Sequence, residues 1–389
     1  MGMSAYRFIV FITVASFLRI GYPEGVHAQV YAEPGFMESD DTIPLPDFVD
    51  GPHVQWSGHN KAEAVFFKYD SASMNVRAEL VSYRVKKGGK YIRGYDFGPK
   101  EFYIQKEHPY PVSEIETSGK VLVIGDVHGE YDRLVDVLTN IGVINSTRDW
   151  SWGKGVVVFL GDLVDRGAQV TETLWFVKKL QHQAELEGGL VQVILGNHEI
   201  MDLTGDHRYL NKKYRTICEE LDLDYFEFFS SDMELGRWLR SMNTMLRIND
   251  NLFVHGGLSP EMIDKKIPVD SVNNLVHQLL RADITGENFD ILFFLTDNAG
   301  PYWYRGMLKA MPEYPMISEE KVREALGFYG VNRIFLGHTE ERYFRINPSK
   351  SIYGIDVPIR YRGKTEQAIL IDGKDIYRVF SDGTMVGVN

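Results

Sequence analysis

Five short clusters in this chain combine metal-ligating or titratable side chains with glycine. They are Gly125-Asp126-Val127-His128-Gly129, Gly161-Asp162-Leu163-Val164-Asp165-Arg166-Gly167, Gly196-Asn197-His198-Glu199, His255-Gly256-Gly257 and Gly337-His338. Taken singly, each has an ordinary structural reading, since Gly-Asp after a strand is usually a turn or a cap. Taken together they offer hard oxygen donors (Asp126, Asp162, Asn197) and borderline imidazoles (His128, His255, His338). That mixture suits manganese, iron or zinc better than calcium or magnesium. Six candidate ligands are too many for one tetrahedral ion, but they suit two ions sharing one carboxylate. Two ions about 3.5–4 Å apart can hold a hydroxide between them and clamp both oxygens of an in-line phosphoryl displacement.

The clusters need elements that bring them to one place, and the flanking sequence supplies them. Val121–Ile124 is a continuous apolar run, as expected of a strand covered on both faces, and it leads into Gly125-Asp126. A helical pattern follows over Tyr131–Ile141. Val156–Leu160 and Leu190–Leu195 repeat the arrangement, separated by a second helical stretch over about Thr171–Glu187. Three successive βα units predict an α/β core with parallel strands. Open sheets of that kind place their ligands at the carboxyl ends of the strands. The stretch from about Asp206 to Asn249 reads as helical. Further strands are expected at Leu252–His255, Arg333–Leu336, Ser351–Ile355, Gln367–Ile371 and Ile376–Phe380, with a hairpin at Asp372-Gly373.

The N-terminal third reads differently. Phe8–Leu18 is the one long apolar run, too short to span a bilayer comfortably. It follows Arg7 and precedes Val26-His27-Ala28, a small-x-small pattern. This is signal-peptide architecture, with export and cleavage after Ala28 expected. The implied organisation is a leader over 1–28, an extended arm and β-rich extension over 29–118, and a catalytic domain over 119–389. After cleavage no membrane span is expected. Forty-two basic against 54 acidic residues give a net charge of −12, which argues against a nucleic-acid partner. The single cysteine, Cys218, excludes intramolecular disulfides and multi-thiolate metal sites.

In this order the clusters resemble the signature of the phosphoprotein phosphatase branch of the calcineurin-like metallophosphoesterases. Gly196-Asn197-His198-Glu199-Ile200-Met201-Asp202-Leu203, followed by Gly205-Asp206-His207-Arg208-Tyr209, is similar to the Shewanella-like phosphatases, as is the exported form with a β-rich extension. The resemblance implies a two-sheet sandwich flanked by helices, with a dinuclear site at the strand ends. It implies that Asp126, His128 and Asp162 bind the first metal, that Asp162 bridges, and that Asn197, His255 and His338 complete the second. By the same resemblance His198 donates a proton to the leaving oxygen, Asp165 orients His198, and Arg166 and Arg305 bind phosphate with Asn197 beside them. The implied activity is hydrolysis of phosphotyrosine or phosphoserine/threonine in proteins by a metal-bridging hydroxide. A small-molecule or dinucleoside polyphosphate hydrolase is the alternative enzyme, and an inactive binding protein on the same scaffold is the alternative of another class. His207 and Arg208 are secondary candidates to line the site. The eukaryotic serine/threonine enzymes carry Ser-Ala-Pro-Asn-Tyr after the last ligand. This chain has Ser351-Ile352-Tyr353-Gly354-Ile355-Asp356 there, so its substrate rim should differ.

Overall fold

The computed structural model describes residues 44–58, 60–85, 89–93, 101–281 and 289–388. The expected leader and the first part of the arm lie outside these residues. The described chain opens with β1 (Phe48–Trp56), β2 (Lys61–Asp70) and β3 (Asn75–Arg84), a three-stranded antiparallel sheet in the order β1-β2-β3. A hairpin follows, β4 (Lys90–Arg93) with β5 (Glu101–Ile104), and then β6 (Glu114–Ile115). The three βα units come next: β7 (Val121–Ile124) with α1 (Tyr131–Ile141), β8 (Val156–Phe159) with α2 (Val170–Leu186), and β9 (Leu190–Val193) with α3 (Asn197–Thr204). After them come α4 (Lys212–Leu221), a 3₁₀ turn (Tyr225–Phe229), α5 (Glu234–Arg240), β10 (Met245–Ile248) and β11 (Asn251–Val254). Four helices follow: α6 (Pro260–Lys265), α7 (Val269–Leu280), α8 (Phe289–Thr296) and α9 (Glu319–Tyr329). The chain closes with β12 (Arg333–Leu336), β13 (Arg345–Ile346), β14 (Ile352–Gly354), β15 (Glu366–Asp372), β16 (Asp375–Phe380) and β17 (Met385–Gly387).

Two six-stranded sheets form the centre, in the orders β17-β16-β15-β7-β8-β9 and β13-β14-β12-β11-β10-β6. The expected parallel pairing of β7, β8 and β9 is present. The side-chain period of two explains why these strands read as unbroken apolar runs. Val121 and Val123 of β7 join Val156 and Val158 of β8 in a core between the sheets, together with Phe253, Phe335 and Tyr353 from the opposite one. Leu122, Ile124, Val157 and Phe159 face the other way, onto a core shared with the helices. Phe335 stacks on Phe253 at 5.2 Å and on Tyr353 at 4.8 Å between ring centroids. Truncating such a ring to alanine costs roughly 3–5 kcal/mol. The hairpin at Asp372-Gly373 forms as expected, with Asp372 opposite Asp375.

One expectation fails. The stretch read as helical from Asp206 to Asn249 ends in β10, which pairs antiparallel with β11. Met245-Leu246-Arg247-Ile248 is too short to show a periodicity that separates strand from helix. The pairing that decides it comes from β11 across the turn at Asn249, which is left-handed (φ 52°).

The N-terminal sheet docks on α2, α4 and α5 of the central fold. Trp175 Nε1 of α2 donates to Pro52 O at 2.9 Å, and Trp56 Nε1 of β1 donates to Glu234 Oε2 of α5 at 2.6 Å. Glu234 is buried, and Lys178 Nζ lies 2.9 Å from its Oε1. No helix among the described residues is long and apolar enough to cross a membrane.

Candidate active site

The strand ends converge as the parallel ladders require. Ile124 pairs with Phe159 and Phe159 with Val193, so Asp126, Asp162 and Asn197 leave one sheet at the same edge. Val254 pairs with Leu336 and Leu336 with Gly354 in the other sheet, which brings His255 and His338 to the matching edge. Two glycines permit the approach of neighbouring loops. Gly161 is left-handed (φ 97°), and a Cβ there would lie 2.5 Å from Gly196 N. A Cβ on Gly196 would fall onto the Asp162 carboxylate and 2.6 Å from Asp162 N.

The donor atoms face one another. His255 Nδ1 donates to Leu160 O at 2.6 Å, which turns Nε2 toward Asn197 Oδ1 at 2.9 Å and Asp162 Oδ2 at 3.3 Å. When His255 Nε2 carries no proton, its lone pair and those two oxygens face one volume, where a cation fits. His128 is oriented in the same way. Its Nδ1 donates to Val164 O at 2.8 Å, and its Nε2 lies 3.7 Å from Asp162 Oδ2 and 4.0 Å from Asp126 Oδ2. Fixing one ring nitrogen on a carbonyl is the usual way a ligating histidine is held. His338 Nε2 is buried without a hydrogen-bond partner. Donor atoms within 4.8 Å of one another form two triads, His128–Asp162–His198 and Asp162–His255–His338, with Asp162 common to both. Asp126 lies outside the first triad, and its two carboxylate oxygens accept from His338 N at 3.1 and 3.2 Å. The buried oxygen and imidazole donors fit metal cations.

Beside the ligands stands a histidine–carboxylate pair. His198 Nδ1 lies 2.7 Å from Asp165 Oδ2, and both side chains are buried. Its Nε2 faces Asp162 Oδ2 at 3.8 Å and the Arg166 guanidinium at 3.3 Å. Arg305 reaches the other side and donates to His338 O.

The calcineurin-like phosphoesterase family model matches residues 119–341. The chain belongs to the calcineurin-like phosphoesterases. It is 29% identical over 194 residues to Shewanella-like protein phosphatase 2 of Arabidopsis thaliana, covering 39% of this chain and 50% of that protein. It is 25% identical over 252 residues to Shewanella-like protein phosphatase 1 of Plasmodium berghei, covering 61% and 69% respectively. A cold-active protein-tyrosine phosphatase of a psychrophilic Shewanella species superposes with a TM-score of 0.75 at 30% identity, over 88% of this chain and 100% of that one. The chain is therefore a metal-dependent phosphatase, and phosphoesterases of this family use a dinuclear metal site.

The electrostatics of this phosphoesterase site follow from packing charges without water. Burial and the nearby Arg166 hold His128 well below its ordinary range, and burial and Arg305 do the same for His338. Both imidazoles are thus neutral, as ligation needs. Burial, Asp356 and Asp162 push Asp126 well above the usual carboxylate range. Burial also disfavours charge on Asp162, but His255 and His198, whose protonated forms the site favours, outweigh it and hold that carboxylate ionised. For His198 burial opposes charge, and Asp162 and Asp165 raise its basicity above normal. Five site residues are left-handed: His128, Asp162, Asp165, Arg166 and His338, with φ of 49–64°. Each such non-glycine residue costs on the order of 1–3 kcal/mol and persists only where surrounding bonds over-determine it.

Three residues of the site were not assigned a role from sequence. Glu199 is fully buried and accepts from Gly196 N and Asp162 N on one oxygen and Leu163 N and Val164 N on the other, at 2.7–3.3 Å. It ties the second cluster to the third. Tyr209 packs its ring 4.9 Å from His198 and lies under the Arg166 guanidinium at 5.4 Å. Asp356 is buried two residues past β14, and the charges of Glu340 and Asp162 act on it. Burial and those neighbours push its carboxyl up to about 7. The strand-end rule that found His338 also finds Asp356, because Leu336 and Gly354 are paired. His207 and Arg208 turn away: His207 packs on Tyr225 at 5.3 Å, and Arg208 pairs with Asp206.

Proposed function

We propose that this phosphatase hydrolyses phosphate monoesters on proteins, phosphotyrosine or phosphoserine/threonine. The observation that carries the reading is the placing of Arg166 and His198 3.3 Å apart on one flank of the ligand cluster. That offers a phosphate a bidentate cation and a proton donor at once. The names of the relatives, protein phosphatases and a protein-tyrosine phosphatase, support a phosphoprotein substrate.

In this reading Asp126, His128, Asp162, Asn197, His255 and His338 hold two cations, which when bound neutralise phosphate charge and activate the attacking water. Arg166 and Arg305, both half-buried, bind the equatorial oxygens, where transition-state charge accumulates. Asn197 joins them in binding phosphate. His198 holds the proton for the leaving oxygen on Nε2, and Asp165 fixes its ring through Nδ1. Manganese, iron or zinc fit the donor set. Export rests on the leader pattern of the sequence, with a mature chain starting at Gln29, and intact mass from the native envelope fraction tests it.

The deciding experiment assays a phosphopeptide panel and a dinucleoside tetraphosphate on metal-defined protein. Higher kcat/KM on phosphopeptides supports the proposal. Preference for the dinucleotide would move the chain to the polyphosphate hydrolases, and absence of turnover on any ester would make it a binding protein.

A further inference from the structure

A buried charge network joins the N-terminal sheet to the loop that carries Arg166. Asp50 lies at a bulge in β1, where the register shifts between Asp50 and His53. Its Oδ2 is 2.6 Å from His53 Nε2 and accepts from Thr171 Oγ1 at 3.1 Å. Its Oδ1 is 2.6 Å from Lys213 Nζ. Asp50 is 1% and Lys213 5% exposed. Lys213 Nζ in turn donates to Ala168 O at 2.9 Å and lies 3.3 Å from Glu172 Oε1.

Ala168 is two residues beyond Arg166, and the same short segment that supplies Lys213 grips Arg166 directly. Arg166 N donates to Tyr209 O at 3.0 Å, and Asn211 Nδ2 donates to Arg166 O at 2.7 Å. Asn211 also caps α4 by accepting from Lys213 N at 3.0 Å. Tyr209, Asn211 and Lys213 thus make three bonds to a turn whose Asp165 and Arg166 are both left-handed. Such a turn holds its shape only if its surroundings impose it. A buried ion pair adds little net stability compared with apolar residues of the same size, so stability alone does not account for charges here.

We propose that Asp50 and Lys213 are positioning residues for phosphate binding. Through Asp50 the N-terminal sheet fixes Lys213, which fixes the Ala168 carbonyl and so the direction of the Arg166 guanidinium. With Asp50 neutral, Glu172 is the anion left beside Lys213, and the ammonium shifts toward it and off Ala168 O. This rests on the assignment of Arg166 to phosphate.

The test uses the manganese-loaded full chain and inorganic phosphate as probe, with its Kd measured by calorimetry. Asp50→Asn should weaken phosphate binding about tenfold, the lower end for one lost charged hydrogen bond, and raise KM for an aryl phosphate and a phosphoserine peptide by a common factor. In an Arg166→Ala background the same substitution should change the Kd by less than about twofold, because the residue it acts through is gone. A purely structural role would lower the melting temperature and leave the Kd unchanged, or repeat the full factor in both backgrounds; either result overturns the proposal. If Arg166→Ala alone leaves phosphate binding intact, the assignment of Arg166 fails first and the proposal with it. Should Asp50→Asn not fold, Thr171→Val removes one hydrogen bond to Asp50. It should weaken phosphate binding about threefold in the Arg166 protein and not in Arg166→Ala, and an equal Kd with and without it overturns the proposal.

Discussion

Replacing His198 by alanine distinguishes an acid from a ligand. In the structure its Nδ1 is held by Asp165 at 2.7 Å, which leaves Nε2 for the substrate side. A proton on that nitrogen matters most when the departing oxygen is a poor leaving group. Loss of a positioned acid costs about 10²–10⁴-fold, or roughly 3–5 kcal/mol at about 1.4 kcal/mol per factor of ten. The full factor is expected on a phosphoserine peptide and a small part of it on p-nitrophenyl phosphate. Asp165→Asn removes the charge from one buried hydrogen bond to Nδ1. A charged bond contributes about 1.5–3 kcal/mol, so the same selective defect should appear at about 10–10²-fold. Arg166→Ala should slow both esters by one factor, because it removes charge stabilisation common to both. Metal content separates the two readings of His198, which stands within 4.8 Å of the His128 and Asp162 donor atoms. The assay is steady-state kinetics of the three variants on both esters, with bound metal counted in each. Equal losses on both esters, or loss of one ion in His198→Ala, would refute the acid assignment.

Gly196→Ala should disturb the site without replacing any donor residue, because its methyl group would fall on the Asp162 carboxylate; metal affinity should drop at least tenfold by equilibrium dialysis, and unchanged affinity contradicts the packing. Burial, with Asp224 and Glu227 nearby, pushes the Cys218 thiol up to about 12. At pH 8 it should therefore react with a disulfide reagent about 10³-fold more slowly than a free thiol, until urea unfolds the chain. Burial raises Glu172 to about 7 against the pull of Lys213, with Asp50 adding to the rise. A carboxyl raised in the folded state stabilises fully below its ordinary value near 4.5 and loses that contribution as pH climbs through about 7. Glu172→Gln should thus melt above the wild-type protein at pH 8.5 and near it at pH 4.5, and parallel melting profiles contradict this.

The convergence of the candidate ligands was readable because parallel strands write themselves as short apolar runs that end on the residues they deliver. Val121–Ile124 before Asp126 and Arg333–Leu336 before His338 carry that signal plainly. Asp356 carries it too, just after the strand expected at Ser351–Ile355, but its place beside the site depends on the pairing of Ile352–Gly354 with β12. Glu199 lies inside the Gly196-Asn197-His198-Glu199 cluster, yet its work is to accept backbone N–H groups from a loop some 35 residues earlier, which no local pattern encodes. Tyr209 sits under Arg166 through a tertiary contact, whereas His207 and Arg208 beside it turn to Tyr225 and Asp206. The strand β10 was hidden because Met245-Leu246-Arg247-Ile248, interrupted by Arg247, lacks the unbroken apolar run that marks β7, and takes its type from its pairing with β11. The coupling of Asp50 to Lys213 spans 163 positions and depends on a bulge, so it could only be seen folded.

The most direct measurement is the metal content of wild-type and Asp162→Asn protein after reconstitution with manganese, taken with turnover of an aryl phosphate. Asp162 is the one side chain common to both donor triads. The wild type should hold two ions per chain with full activity, and Asp162→Asn should lose both ions and turnover. Full turnover in protein measured to be metal-free, or Asp162→Asn that keeps two ions and its activity, would contradict it.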